Sequence, residues 1–324
     1  MRLRRSRLNG PGWTRRRRGR GFSFTDESQR PLEREELERC RSLAIPPAWS
    51  DVWICPWPNG HIQAVGRDGD GRLQYLYHAD WRTRRDVAKF ERMPDFGRAL
   101  PAARAQVISD IGLPGMPRER ALATGFRILD LSAVRVGGEA YARERGTEGL
   151  ATLRRDHVAT RGERVDLNFP GKSGRDVRVE LQDRALADAV RALRRRRGGG
   201  DELLAWREGR VWRDVRSQDI NEYVREVIGC EATAKDFRTW HANVLVIAEL
   251  AGGPVPGSTH VRRRRLVAAV NAVAEHLGNT PAVARRSYVD PRLLDRYLEE
   301  ALDPVLTSAK DAENEELLIR VLEA

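Results

Sequence analysis

Lys235-Asp236-Phe237-Arg238-Thr239-Trp240-His241 opens a helix-period run over 236–251, and Thr233-Ala234-Lys235-Asp236 at its head fits a capping box. A second stretch, Asn279-Thr280-Pro281-Ala282-Val283-Ala284-Arg285-Arg286-Ser287-Tyr288, also reads as a helix start, with Thr280 as cap and Pro281 at the first helical position. Together they offer an arginine, an amide donor and a tyrosine hydroxyl. Those groups can hold and attack a phosphodiester without a metal.

The surrounding chain from residue 98 is mainly helical in pattern. Helix-period runs are expected over 99–111, 118–131, 136–144, 184–196, 217–228 and 261–277, with another start at Asp290-Pro291. A strand meander alternates over 156–181, and Gly171-Lys172-Ser173-Gly174 forms its hairpin tip. Residues 21–97 differ: a short acidic helix from Pro31 to Arg41 precedes strand-like runs at 52–55, 61–65 and 73–77, then a basic helix over 81–92. Met93-Pro94-Asp95-Phe96-Gly97 reads as punctuation. The expected fold class is α+β in two domains. A small N-terminal β-sheet domain with short helices covers 21–97. A larger, mainly helical domain with a small β-meander covers 98–324.

Charge is unevenly distributed. The 324 residues hold 58 basic and 47 acidic side chains, a net +11. Residues 1–20 contribute nine arginines and no acids, and residues 98–200 hold 21 basic against 13 acidic residues. A polyanionic partner is expected. Residues 1–20, with Gly10-Pro11-Gly12, read as a disordered arm that lies along phosphates. Arg262-Arg263-Arg264-Arg265 reads as a solvated, phosphate-adjacent helix start. Trp49, Trp53, Trp57 and Trp81 read as the small domain's core, and His241 and His276 as structural. Three dispersed cysteines give neither a disulfide framework nor a paired metal spacing, and no apolar run spans a bilayer. A cytoplasmic, nucleoid-associated protein is expected.

Only four of the basic residues are lysine: Lys89, Lys172, Lys235 and Lys310. A lysine in an arginine-writing chain can give up a proton, which guanidinium does not do in the working pH range. Breaking a phosphodiester with a phenol needs cationic donors for the non-bridging oxygens and a proton for the leaving oxygen. Arginine's planar fork suits the first task. Lysine suits the second, because neighbouring cations lower its pKa from about 10.4 toward working pH.

These motifs, in this order, resemble a type IB DNA topoisomerase of the small poxvirus and bacterial kind, over roughly residues 21–300. Gly71-Arg72-Leu73-Gln74-Tyr75-Leu76-Tyr77-His78 resembles the DNA-facing strand of the family's N-terminal clamp domain, which implies DNA contacts for Gln74, Tyr75 and Tyr77. Leu131-Ser132-Ala133-Val134-Arg135-Val136-Gly137-Gly138 resembles the segment with the first catalytic arginine, Arg135. By the same resemblance Lys172 is the general acid, Arg238 the second arginine, Tyr288 the nucleophile and Lys235 a DNA contact. Asn279 stands where the poxvirus enzymes have a histidine, so it brings a hydrogen bond and no charge. The resemblance further implies a monomer clamping supercoiled duplex DNA. It implies cleavage through a 3′-phosphotyrosyl intermediate, strand swivelling and religation, with no ATP, metal or other cofactor.

Two other classes remain open at this level. A site-specific tyrosine recombinase uses a similar catalytic arrangement, but normally has a histidine three residues before the second arginine, where this chain has Lys235. A non-enzymatic basic DNA-binding protein explains the charge but not the ordered motifs.

Overall fold

The computed structural model describes residues 2–138, 146–253, 255–308 and 313–323, leaving out the side chains of 82–86, 173 and 308. It is a mixture of helix and antiparallel sheet, and it divides into two compact units, Met1–Lys89 and Phe90–Ala324. No helix among the described residues is long and apolar enough to cross a membrane.

The first unit is a five-stranded antiparallel sheet in the order β2-β1-β3-β4-β5. Its strands are β1 (Trp13–Arg18), β2 (Gly21–Thr25), β3 (Ser50–Ile54), β4 (Ile62–Arg67) and β5 (Leu73–Tyr77), with helices α1 (Arg34–Ser42) and α2 (Ala79–Glu91). The arm expected to be disordered over 1–20 therefore contains a strand, paired on both sides. Charge density hid the two inward positions: Trp13 and Arg15 are buried, whereas Arg16, Arg17 and Arg18 are exposed. Arg15 donates to the carbonyls of Ile45 (2.8 Å), Pro46 (2.9 Å) and Trp49 (2.8 Å), which lets its cation be buried. The core is likewise not the expected four-tryptophan cluster. It gathers Trp13, Cys40, Ile45, Val52, Ile54 and Ala64, with Trp49 packed on it. Trp57 lies under the Arg4 guanidinium, 3.6 Å from its ring centroid, and Trp81 meets His61 edge-on.

In the second unit, α3 (Met93–Ile111) starts within the stretch read as punctuation, because proline is tolerated in a helix's first turn and Met93 and Phe96 are buried. After α4 (Arg118–Leu131) the chain forms neither helix nor strand over 132–138, and most of the helix expected over 136–144 lies outside the described residues. A three-stranded meander follows: β6 (Val158–Arg161), β7 (Arg164–Pro170) and β8 (Asp176–Gln182). Beyond α5 (Arg184–Arg195), a hairpin of β9 (Ala205–Glu208) and β10 (Val211–Asp214) had no counterpart in the sequence reading, its strands being too short to show a period. The remaining helices are α6 (Ser217–Ile228), α7 (Ala234–Ala251), α8 (Thr259–Leu277), α9 (Pro281–Ser287), α10 (Pro291–Leu298), α11 (Asp303–Ser308) and α12 (Asn314–Glu323).

Helix α7 runs through the core of this unit. Phe237 packs edge-to-face on Phe96 and Phe126, with ring centroids 5.1 and 5.0 Å apart, contacts of about 0.5–1.5 kcal/mol each beyond their burial. Arg262 departs from the solvated reading. It is 2% exposed and donates to Asp303 (2.8 Å) and to the Tyr297 carbonyl (3.1 Å), so it is a packing residue of α8.

Candidate active site

Arg238 sits one turn into α7, whose start is fixed by Asp236: its carboxylate accepts from the Thr233 backbone N–H and hydroxyl, both at 2.8 Å. The Arg238 side chain is 3% exposed. Nη1 donates to the Ala133 carbonyl, and Nη2 donates to the Leu277 carbonyl at 2.9 Å. One guanidinium thereby joins α7 to the segment after α4 and to the end of α8.

The segment after α4 holds Arg135. Its carbonyl accepts from Leu150 N–H at 2.9 Å, and that of Val136 from Ala151 N–H at 2.8 Å. The two backbone strands cross at Gly137 (φ +78°) and Gly149, where a Cβ on Gly149 would fall 2.4 Å from Gly137 Cα. Only glycine permits that approach. Arg135 Nη2 then reaches across to Asn279 Oδ1 at 2.9 Å.

Asn279 is placed by the end of α8. Gly278 takes the left-handed conformation at φ +61°, and Asn279 N–H returns to the Ala274 carbonyl at 2.8 Å. Thr280 caps α9, Pro281 opens it, and Tyr288 closes it with its N–H on the Ala284 carbonyl at 3.0 Å. The half-buried Tyr288 ring lies 5.1 Å from the Arg238 guanidinium carbon and 5.9 Å from Lys235 Nζ. Burial alone would raise the phenol's pKa. The cations of Arg238, then Lys235 and Arg135, outweigh it and hold the phenol below its ordinary value.

The cluster sets two guanidinium groups close together. Burial, then the neighbouring Arg238 cation, push the Arg135 guanidinium below its ordinary value. Arg238 Nε and Asn279 Nδ2 are buried with no hydrogen-bond partner among the described residues. Two crowded cations, with one spare guanidinium donor on Arg238 and one spare amide donor on Asn279, fit a bound phosphate oxygen. Lys172 occupies the tip between β7 and β8 and lines a cavity of about 510 Å³ together with Arg135, Arg238 and His276.

Two family models cover the chain. Residues 78–308 match the eukaryotic DNA topoisomerase I catalytic core, and residues 21–68 match the bacterial DNA topoisomerase IB N-terminal domain. The chain belongs to the type IB DNA topoisomerase family. It is 32% identical over 272 residues to DNA topoisomerase 1B of Acanthamoeba polyphaga mimivirus, covering 81% of this chain and 80% of that protein. It is 27% identical over 164 residues to DNA topoisomerase 1 of Candidozyma auris, covering 49% of this chain and 20% of that one. As a member of this family the chain is an enzyme with DNA as its substrate.

Of the residues named from sequence, the topoisomerase brings Arg135, Arg238, Asn279, Tyr288 and Lys235 into one cluster, with Lys172 on the shared cavity. Gln74, Tyr75 and Tyr77 belong to the N-terminal unit. Tyr75 and Tyr77 share a face of β5 with rings stacked 6.0 Å apart, whereas Gln74 alternates to the other face and donates to Asp68 at 2.9 Å. His241 contacts the Leu129 carbonyl at 3.2 Å from a half-buried position.

Sequence reading missed Asn243. It is 1% exposed, donates to the carbonyls of Thr239 (2.7 Å) and Tyr288 (3.0 Å), and accepts from Asp290 N–H at 2.8 Å. The available signal was an amide in the apolar stripe of α7. Replacing Asn243 with alanine should strand the Tyr288 carbonyl and Asp290 N–H, destabilising the enzyme by about 1–3 kcal/mol. Thermal unfolding beside single-turnover DNA cleavage checks this, and an unchanged melting temperature would contradict it.

Proposed function

We propose that this topoisomerase relaxes supercoiled duplex DNA by cutting one strand through a 3′-phosphotyrosyl link on Tyr288, letting the free end swivel, and resealing. The observation carrying this reading is the meeting of Arg135, Arg238, Asn279 and Tyr288, drawn from distant segments, around two unpartnered donors. The Tyr288 oxygen attacks phosphorus as the P–O5′ bond breaks. The phenol's proton leaves to solvent, and O5′ takes a proton from Lys172 Nζ. Arg135 and Arg238 hold the non-bridging oxygens as charge builds, and Asn279 Nδ2 adds an uncharged hydrogen bond. Resealing reverses each step. The phosphotyrosyl link conserves the bond's free energy, so the cycle calls for neither ATP nor a metal ion. Lys235 contributes a further DNA contact beside Tyr288. In the N-terminal unit Tyr75, Tyr77 and Gln74 supply others, Gln74 after releasing Asp68. One copy suffices, because a single cluster serves one scissile phosphate.

The deciding experiment offers negatively supercoiled plasmid to the protein with chelator present and ATP absent. Relaxation of any plasmid is expected. Activity restricted to plasmids with a particular pair of sites would favour a tyrosine recombinase. Retarded but unrelaxed DNA would favour a non-enzymatic DNA-binding protein.

Replacing Lys172 with alanine should slow cleavage by about 10²–10⁴-fold. A substrate with sulfur as the leaving atom should restore it, because a thiolate departs without a proton. No restoration would mean that Lys172 only positions the phosphate.

The exposed arginines of β1 call for point substitution, since deleting residues 1–20 would also remove Trp13 from the core. Exchanging Arg16, Arg17 and Arg18 for alanine should weaken DNA binding and flatten log K against log salt by about 2–3 units of slope. A slope identical to that of the unaltered protein would exclude these side chains from phosphate contact.

A further inference from the structure

Helix α12 lies beyond residues 78–308, the span that matches the topoisomerase core. It buries Leu317, Leu318 and Val321 on one face and carries Glu315 in its first turn. The Glu315 carboxylate accepts from both ends of the Arg104 guanidinium, at 2.7 and 2.8 Å, and from Trp240 Nε1 at 3.0 Å. Arg104, on α3, also donates to Asp130 from Nε at 3.1 Å and from Nη2 at 2.8 Å. Asp130 is 4% exposed and accepts a further bond from Arg127 at 2.7 Å.

The two ends of this relay fall next to the chemistry. Trp240 is two residues past Arg238 on α7, and it is 1% exposed. Asp130 lies in the last turn of α4, five residues before Arg135. Trp240, Glu315, Arg104 and Asp130 thus form one unbroken hydrogen-bonded chain between the helix that carries Arg238 and the helix that leads into Arg135. Each charge in it is paired, and its ends Trp240 and Asp130 are buried, so breaking an end link leaves a buried group short of a partner and favours a shift of the helices.

We propose that α12 is a clip that sets the register of α7 against α4, with Glu315 as the positioning residue that fixes the spacing of Arg238 and Arg135. This rests on the roles given to those arginines under Proposed function. Phosphoryl transfer depends steeply on such spacing: an error of about 1 Å can cost about 10²-fold. Glu323 on the same helix offers a contrast, because it pairs with Arg98 of α3 at the surface.

The test uses the full chain with Glu315→Ala, Glu315→Gln, Trp240→Phe and Glu323→Ala. Single-turnover cleavage, DNA affinity and thermal unfolding are measured for each, with leaving oxygen and with leaving sulfur. Glu315→Ala should cleave about three- to thirtyfold more slowly, with affinity held within about twofold. The deficit should persist on the sulfur substrate, because the arginines and not the leaving-group acid are displaced. Glu315→Gln, which keeps a carbonyl acceptor, should recover part of the rate. Trp240→Phe, which keeps the packing but loses the donor, should show a smaller deficit of the same kind, and Glu323→Ala should show none. Should Glu315→Ala not fold, Glu315→Gln and Trp240→Phe decide. Wild-type cleavage rates in folded Glu315→Gln and Trp240→Phe, or a loss that sulfur repairs, would overturn the clip. If the unsubstituted chain forms no covalent adduct, the catalytic reading itself fails, and the clip with it.

Discussion

Tyr288→Phe should bind supercoiled DNA as tightly as the unsubstituted chain and relax none of it, a loss of about 10⁴–10⁶-fold. The substitution removes one oxygen and leaves the ring where it packs, beside Arg238 at 5.1 Å and Lys235 at 5.9 Å. The backbone clasp from Asn243 to the Tyr288 carbonyl does not involve the phenol and should survive. Folding and affinity should therefore hold while chemistry disappears. The readout is a covalent protein–DNA adduct on a denaturing gel, beside a binding isotherm. An adduct that resists detergent in this variant would remove Tyr288 from the role of nucleophile.

Arg238→Ala should slow single-turnover cleavage by about 10²–10³-fold, the usual consequence of losing one donor to a charge-building oxygen, about 2.7–4 kcal/mol. Stability should fall as well. The guanidinium satisfies the carbonyls of Ala133 and Leu277, and each buried acceptor left alone costs about 1–3 kcal/mol. Lysine should not rescue, because one ammonium cannot replace a planar fork that spans two carbonyls and still faces a phosphate. The pH profile gives an independent reading. Burial raises the phenol's pKa and Arg238 is the foremost cation opposing it, so removing that charge moves the pKa upward. The limb on which cleavage rises with pH should shift to higher pH. A variant with an unshifted limb and an undiminished rate would show that Arg238 serves packing alone.

Local signals were readable without coordinates because their causes lie within a few residues. Thr233 to Asp236, Thr280-Pro281 and Asp290-Pro291 each specify a helix start through one side chain and the backbone beside it. The alternation over 164–182 specifies two strands and their hairpin in the same way. Where one property masked another, reading failed. The arginine run at 15–18 concealed a strand, and Met93-Pro94 concealed a helix start.

The amino-acid order alone thus determined the helices and strands around the site, the residue types available for its chemistry, and their sequence along the chain. Folding in space decided the rest. It set the Arg135–Asn279 hydrogen bond, the burial of Arg238 against two distant carbonyls, the Asn243 clasp and the Glu315 link. Those are contacts between groups 39 to 144 residues apart, several of them between a polar side chain and a backbone carbonyl that any residue could supply. A carbonyl has no signature in sequence, and the free energy of pairing it with a buried donor exists only once packing has excluded water from both.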